Sequence, residues 1–254
     1  MQKSMVAWLT SLFLLASCGP TESPESDGGD VERSSPINED VEETLVLGED
    51  YFNEVKEVNG ALQIQNPENI TANVNREFLM PSDYVPEDMR APDVLFSFEG
   101  EAERRMLRQE AALALEGLFA AAEDAGHTLY AVSGYRSYDR QAELYEQEVA
   151  QRGEEQEVVA MPGQSEHQTG LAMDVSSETV QFGLTEAFGS TPEGGWLDEN
   201  AHHFGFIIRY PEGKEGITGY DYEPWHLRYV GEIAVDVYEN SYTLEEYFEV
   251  VKEI

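Results

Sequence analysis

One short segment, residues 165–175, limits the possible folds of this chain more than any other. It reads Ser-Glu-His-Gln-Thr-Gly-Leu-Ala-Met-Asp-Val, so that His167 and Asp174 are seven positions apart with Gly170 between them. This spacing is too long for neighbours on one helical turn, which favours a loop that leads into a strand. Residues 171–175 alternate weakly, as in a half-buried strand, and Asp174 lies on one of its two faces.

A second segment, Glu223-Pro224-Trp225-His226, adds another carboxylate and another imidazole. Because Pro224 fixes φ and has no N–H for a sheet ladder, the chain must bend there before His226 begins a strand.

Zn²⁺ in a hydrolase needs three nitrogen or oxygen ligands, an open position for water, and a separate carboxylate that takes the proton of that water. His167, Asp174 and His226 fit the first role, and Glu223 fits the second. Any one of these residues alone is more often a surface group or a satisfied core group. Their combination around the glycine and the proline predicts a metal centre.

The composition is typical of a folded domain with an acidic surface. With 254 residues and 41% hydrophobic content, the chain is long enough to bury a sizeable core, and we expect one domain over residues 51–254. The formal charge is −36, from 51 acidic and 15 basic residues. A phosphate backbone requires a concentrated basic face, so this charge argues against nucleic acid as a partner.

The N-terminal residues 1–17 have one early positive residue, Lys3, and then an apolar run that is short for a permanent membrane span. This pattern predicts an export signal. Its end, Leu15-Ala16-Ser17-Cys18, resembles the bacterial lipobox, in which the cysteine is acylated and becomes the new N-terminus, and Cys18 is the only cysteine of the chain. The prediction is therefore an extracytoplasmic protein, anchored by lipid to the bacterial membrane and facing the cell wall. The alternative is an ordinary signal peptide with an incidental cysteine.

Residues 18–50 are rich in Ser, Pro, Gly, Asp and Glu, and such a composition cannot bury a core. The sequence predicts a flexible acidic linker, which at this length spans roughly 30 Å on average.

Within the domain, the sequence predicts helices over residues 101–125 and 138–151 with a strand at 128–133 between them. Further on it predicts a helical segment at 195–205, a short strand at 206–210, a hairpin loop at 213–220, and one or two acidic helices after residue 231.

Four other polar residues have two possible roles each. Arg136 falls between a predicted strand and a predicted helix, where it either binds a substrate carboxylate or polarised carbonyl or is a surface arginine in a capping ion pair. His202 and His203 are adjacent, and neighbours on a helix diverge by about 100°, which favours structural roles for both. His127 follows a glycine at a helix end and is interpreted as a C-terminal cap.

These blocks together resemble the zinc D-alanyl-D-alanine carboxypeptidases of the VanY type, which are relatives of lysostaphin and the hedgehog amino-terminal domain. The resemblance covers residues 74–231 and is carried by four ordered blocks: Ser133-Gly134-Tyr135-Arg136-Ser137 with Gln141; Ser165, His167, Gly170, Ala172 and Asp174; Trp196-Leu197 through Phe204-Gly205-Phe206; and Glu223-Pro224-Trp225-His226.

The resemblance implies an α+β fold with a small central antiparallel sheet flanked by helices. It also implies an enzyme that removes the C-terminal D-alanine from peptidoglycan stem peptides, with one Zn²⁺ on His167, Asp174 and His226 and with Glu223 as the catalytic base. In the same family pattern Arg136 stabilises the oxyanion, and Gln141 and Ser165 contact the substrate.

Two rival functions remain open in the sequence. An L,D-carboxypeptidase would use the same zinc apparatus on tetrapeptide stems, and a cell-wall binding module would keep the groove without turnover. The intact ligand set and base favour an enzyme, which we expect to be a monomer.

Overall fold

The protein's structure is a computed structural model that describes residues 44–155 and 158–254. The predicted signal peptide, Cys18 and most of the predicted linker lie outside the described residues. The strands are β1 (Val46–Leu47), β2 (Val55–Val58), β3 (Ala61–Ile64), β4 (Phe78–Leu79), β5 (Met89–Arg90), β6 (Leu107–Arg108), β7 (Tyr130–Ser133), β8 (Ala172–Ser176), β9 (Phe206–Ile208), β10 (His226–Tyr229) and β11 (Lys252–Glu253). The helices are α1 (Gln109–Asp124), α2 (Tyr138–Arg152), α3 (Pro192–Asn200), α4 (Glu215–Thr218), α5 (Ile233–Glu239) and α6 (Leu244–Val250).

Four strands form the central sheet, in the order β7-β8-β10-β9, and every neighbouring pair is antiparallel. Helices and smaller two- and three-stranded sheets surround it. The predicted α+β fold with a small antiparallel sheet is therefore confirmed. None of the described helices combines the length and apolar character that a membrane span needs.

The register of the sheet places the polar side chains of β8 and β10 side by side. Asp174 in β8 lies directly opposite His226 in β10, and on its other side it pairs with Ser133 at the end of β7. The register shifts between Ala131 and Ser133, which is the signature of a β-bulge. Bulges re-aim side chains, and here the irregularity lies where the chain leaves the sheet toward α2.

Helix α1 packs against the sheet through an apolar face with helical spacing. Its buried residues are Ala111, Ala112, Leu115, Leu118, Phe119 and Ala122. They share one core with Leu171, Met173 and Leu227 from the central strands.

The helix predicted over residues 101–125 begins eight residues later than expected, at Gln109. The preceding residues are held by the turn after β7, because the N–H of Gly134 donates to the carbonyl of Arg104 at 2.7 Å and the N–H of Tyr135 donates to that of Met106 at 2.8 Å. These tertiary bonds, which local pattern does not encode, keep residues 104–106 out of the α-helix.

The two ends of the described chain meet. Strand β1 pairs in parallel with β11, and Leu47 joins a core made largely by α5 and α6, which form where one or two helices are predicted after residue 231. The fold therefore starts by Val46, earlier than the predicted linker boundary at residue 50.

The predicted hairpin loop at 213–220 is wrong in form. It contains the helical turn α4, which ends at Gly219 with φ 77° in the left-handed region. Gly213 at φ 80° and Gly219 at φ 77° take left-handed backbone conformations on either side of this single turn of helix.

Candidate active site

Asp174 and His226 are brought together by the sheet itself. The Oδ1 of Asp174 lies 3.0 Å from Nδ1 of His226, and both residues are buried. His226 follows a turn in which its N–H donates to the carbonyl of Glu223 at 3.1 Å, so the predicted bend at Pro224 is present. The turn starts β10 in the register that makes His226 the neighbour of Asp174.

His167 enters the same place from a short 3₁₀ helix, Glu166–Thr169. Its Nδ1 lies 2.8 Å from the carbonyl oxygen of Gly134, which only accepts, so Nδ1 carries the proton. Its other nitrogen, Nε2, lies 3.4 Å from Oδ2 of Asp174. Burial lowers the pKa of His167 although Asp174 opposes this, which favours the neutral ring that a metal ligand requires.

Two glycines allow the segment that carries His167 to pack closely against its neighbours. Gly170 ends the 3₁₀ helix at φ 70°, where a side chain is strained, and a Cβ there would lie 2.9 Å from the Met89 sulfur. A Cβ on Gly134 would lie 2.6 Å from the carbonyl oxygen of Met106.

The residues present fit a zinc ion. Ligand atoms from His167, Asp174 and His226 all lie within 4.8 Å of one another, and the three residues are buried. Two imidazoles and one carboxylate form a donor set that zinc takes in hydrolases, and each imidazole has its other nitrogen bonded to the protein, as metal ligands usually do. The roles of the three residues as ligands stay a prediction that this geometry favours.

Glu223 lies at the rim of the trio. Its Oε2 is 3.9 Å from Nδ1 of His226, and its side chain is 27% exposed, so it faces open space. Burial raises the pKa of Glu223 to about 7; the nearby Asp174 charge acts in the same direction, and His226 opposes it. A carboxyl group with this pKa exchanges protons readily near neutral pH, as a general base must.

Arg136 points to the same space from the loop between β7 and α2. Its Nη1 donates to Oε1 of Gln141 at 2.9 Å, and its backbone N–H donates to the carbonyl of His167 at 3.1 Å. Burial lowers its pKa, while the charges of Asp174 and Glu223 oppose that shift. The guanidinium is thus a cation held beside both carboxylates.

Gln141 and Ser165, the two predicted substrate contacts, have different surroundings. Gln141 is 1% exposed, and both ends of its amide are engaged within the chain, because Oε1 accepts from Arg136 and Nε2 donates to the carbonyl of Ala160 at 2.6 Å. A direct substrate contact of Gln141 would compete with these bonds, so its evident action is to hold Arg136. Ser165 lines the cleft, and its contact with substrate stays a prediction.

All of the predicted site residues line one cleft of about 350 Å³. Its remaining walls are mainly apolar or aromatic and include Leu144, Leu184, Tyr210, Tyr220 and Trp225. A larger cavity of about 490 Å³ next to His202 shares no residue with the cleft.

The other histidines have structural surroundings. The ring of His202 stacks on Tyr238 at a centroid distance of 3.7 Å, and His203 lies 3.9 Å from His202. The backbone N–H of His127 donates to the carbonyl of Ala122 at 2.8 Å and so closes the end of α1 after Gly126.

Sequence reasoning missed three buried charged residues next to the site. Glu166 precedes His167, and its carboxylate is bound by Arg209 and Arg228. None of the three side chains is exposed to solvent. The available signal was an arginine within each of two apolar runs, residues 206–210 and 226–230.

Comparison with known proteins gives consistent matches. The family described as VanY: D-alanyl-D-alanine carboxypeptidase matches residues 104–232. The chain is 52% identical over 237 residues to YodJ of Bacillus subtilis (strain 168), covering 92% of this chain and 85% of that protein. A solved structure of the LdcB LD-carboxypeptidase, reported for its peptidoglycan recognition, has a TM-score of 0.81 and 55% identity, covering 83% of this chain and 100% of that one. A mutant of the vancomycin resistance D,D-pentapeptidase VanY, in complex with Zn(II), has a TM-score of 0.55 and 34% identity, covering 70% of this chain and 98% of that one.

Proposed function

Because the chain belongs to the VanY family of D-alanyl-D-alanine carboxypeptidases, we propose that it is a zinc enzyme that releases the C-terminal D-alanine of peptidoglycan stem peptides. The observation that carries this proposal is the meeting of His167, Asp174 and His226 within 4.8 Å, in a cleft that also contains Glu223 and Arg136. A buried trio of this kind with a protonatable carboxylate at its rim suits peptide-bond hydrolysis.

Zn²⁺, when bound by the trio, supplies the Lewis acid of the reaction. Glu223 accepts the proton of the attacking water at a carboxylate oxygen and passes it to the nitrogen of the departing D-alanine. Arg136 stabilises the negative charge that develops on the carbonyl oxygen, because its guanidinium is a cation that Gln141 holds in place at the cleft. Trp225, Tyr210 and Leu184 help to exclude bulk water from the reacting bond.

The bond that is cut is either D-alanyl-D-alanine in a pentapeptide stem or the bond from an L-centre to D-alanine in a tetrapeptide stem. The resemblance to the VanY type implies the D,D activity, although the sequence itself does not choose between the two bonds. The similarity to LdcB at 55% identity over the whole of that chain supports the L,D activity, whereas the D,D-pentapeptidase VanY is 34% identical. We therefore place the tetrapeptide first and the pentapeptide second.

The direct test is a digest of purified tetrapeptide and pentapeptide muropeptides, with and without a chelator. We expect the tetrapeptide to lose D-alanine, the chelator to stop the reaction, and added Zn²⁺ to restore it. Faster cleavage of the pentapeptide would assign the D,D activity instead. If neither peptide is cut and the purified protein contains no zinc, the chain is a cell-wall binding module.

We also propose that acyl chains on Cys18 anchor the protein to the outer face of the bacterial membrane, so that it meets the cell wall as a monomer. The supporting observation is the lipobox-like Leu15-Ala16-Ser17-Cys18 at the end of the apolar run. Detergent phase partition checks it: the wild-type chain should enter the detergent phase, and Cys18→Ala should remain aqueous or unprocessed.

A further inference from the structure

We propose that Glu166 is a positioning residue for the metal centre: its carboxylate holds the Nε2–H of His226, and this leaves Nδ1 of the same ring as the nitrogen that faces the metal. The inference rests on the proposed function, because it takes His226 to be a ligand. It assigns a role to a residue that is not one of the three candidate ligands.

The two oxygens of the Glu166 carboxylate have separate partners. Oε1 accepts from Nε of Arg209 at 2.7 Å and from Nη1 of Arg228 at 2.6 Å. Oε2 lies 3.4 Å from Nε2 of His226, whose Nδ1 lies 3.0 Å from Asp174. The arginines thus fix one oxygen and leave the other directed at the ring.

The charge of Glu166 determines which nitrogen of His226 keeps its proton when the ring becomes a metal ligand. Two buried guanidinium groups, those of Arg209 and Arg228, contact this carboxylate at 2.7 and 2.6 Å, and it is the anionic partner of both. An ionised carboxylate only accepts hydrogen bonds, so the Nε2 that contacts it must carry a proton. Nδ1 faces Asp174 at 3.0 Å, so both nitrogens donate to carboxylates while no metal is bound, and Nδ1 is the one that would give up its proton to become a ligand beside Asp174.

The arginines are themselves fixed by parts of the chain outside residues 104–232. Nη2 of Arg228 donates to the carbonyls of Ile70 and Ala72 at 2.9 and 2.8 Å. Arg209 forms two bonds to the carboxylate of Glu245 in α6, at 2.9 and 2.6 Å. Glu166 therefore has little freedom to move, which is what orientation of a ligand requires.

The test compares Glu166→Gln and Glu166→Asp with a matched control, Glu249→Gln, which removes an exposed carboxylate from α6. Gln keeps the size of the side chain but turns its NH₂ group toward Nε2 of His226. Nε2 must then accept, so the ring proton moves to Nδ1 and prevents Nδ1 from binding the metal. Asp keeps the charge for the arginines but withdraws the oxygen by one methylene. We expect zinc affinity, measured by competition with a chelator, to fall about 10- to 100-fold in both variants and to be unchanged in the control.

A second readout is the imidazole ¹⁵N spectrum of the zinc-loaded protein, which has only five histidines. In the wild type we expect His226 to show a proton on Nε2, hydrogen-bonded to carboxylate. A wild-type spectrum with the proton on Nδ1, or with no bonded proton on Nε2, overturns the inference even if Glu166→Gln fails to fold.

A further variant, Glu245→Gln, separates positioning from general stability. It weakens one support of Arg209, while Arg228, fixed by the carbonyls of Ile70 and Ala72, still holds Oε1 of Glu166, so we expect a lower melting temperature and a zinc affinity within about 3-fold of the wild type. Equal loss of affinity in Glu245→Gln and Glu166→Gln would show a merely structural role. If the wild type itself binds no zinc, the proposed function fails; if it binds zinc and the Glu166 variants bind it equally well, only this inference fails.

Discussion

Each imidazole of the candidate metal centre has one nitrogen bonded to the protein and one directed at Asp174. For His167 the partner is the carbonyl of Gly134 at 2.8 Å, and for His226 it is the carboxylate of Glu166 at 3.4 Å. The two rings stand at 89° to each other with centroids 5.0 Å apart. This arrangement orders the ligand atoms before an ion arrives, so that little reorganisation is needed on binding.

Replacing the candidate base tests the division of roles in this centre. In Glu223→Gln the side chain keeps its size but can no longer accept the proton, so we expect kcat to fall by at least about 10³-fold. Because Glu223 is outside the trio, bound zinc measured by elemental analysis should stay near one ion per chain. Loss of the zinc together with activity would instead make Glu223 part of the binding site.

Arg136 is expected to act on the transition state. Arg136→Ala removes a fixed cation from the cleft, and we expect a loss of about 10²- to 10³-fold in kcat with zinc affinity preserved. The matched control is Arg140→Ala, which removes an exposed arginine from the same helix region, where it pairs with Glu143 at 2.7 Å. An effect on KM alone in Arg136→Ala would indicate that the residue binds the ground state equally well.

At the scale of single residues, the sequence best predicts those site residues that belong to a short local motif. The four predicted residues lie in two short motifs, one with a glycine and one with a proline, and the structure brings them together: His167, Asp174, Glu223 and His226. Glu166 could not be found in this way, because its arginine partners lie 43 and 62 positions away. Buried charge pairing depends on the tertiary fold, and a single sequence shows it only as an arginine inside an apolar run.

At the scale of elements, the junction between β7 and α2 positions several side chains of the candidate site. Gly134 lies at this junction, and it packs against the backbone of residues 104–106 while its carbonyl binds His167. Helix α2 then starts at the Ser137 cap, whose side chain accepts from the N–H of Arg140. The junction between β7 and α2 therefore determines both the position of Arg136 and the ring orientation of His167.

Close packing at this junction predicts a large effect from one methyl group. In Gly134→Ala the new Cβ would lie 2.6 Å from the carbonyl oxygen of Met106, so we expect a destabilisation of about 1–3 kcal/mol and weaker zinc binding. The control is Gly195→Ala in α3, where no atom lies within 4 Å of the new Cβ and helix propensity favours Ala by up to about 1 kcal/mol. Chemical denaturation of both variants checks the contrast, and equal stabilities would contradict it.

The helices and central strands were predicted with the right order, whereas their limits were not. Helix α1 starts at Gln109 and not near residue 101, since the residues before it bond to the β7 turn. Residues 213–220 form a helical turn instead of a hairpin. In both places tertiary contacts decide between conformations that the local pattern allows.

For the molecule as a whole, the candidate metal centre is held by segments that the VanY match leaves out. The match covers residues 104–232, but Arg228 binds the carbonyls of Ile70 and Ala72, and Arg209 binds Glu245. Removing these acceptors leaves buried cations without partners, which is strongly destabilising.

Truncation tests this dependence. We expect residues 44–254 to fold and to hydrolyse soluble muropeptides with the same kcat/KM as the full chain. A fragment of residues 104–232 should show no cooperative unfolding transition and no zinc binding. A folded, zinc-binding short fragment would mean that the outer segments are accessory.

The link between α6 and the early loop also has a consequence for biogenesis. Asn75 and Glu245 are hydrogen-bonded partners separated by 170 positions. Contacts across so long a stretch form late, because closing the loop between them costs entropy that shorter contacts avoid. We expect a nascent polypeptide that still lacks α6 to be catalytically silent, and the enzyme to become active only once α6 has emerged from the ribosome.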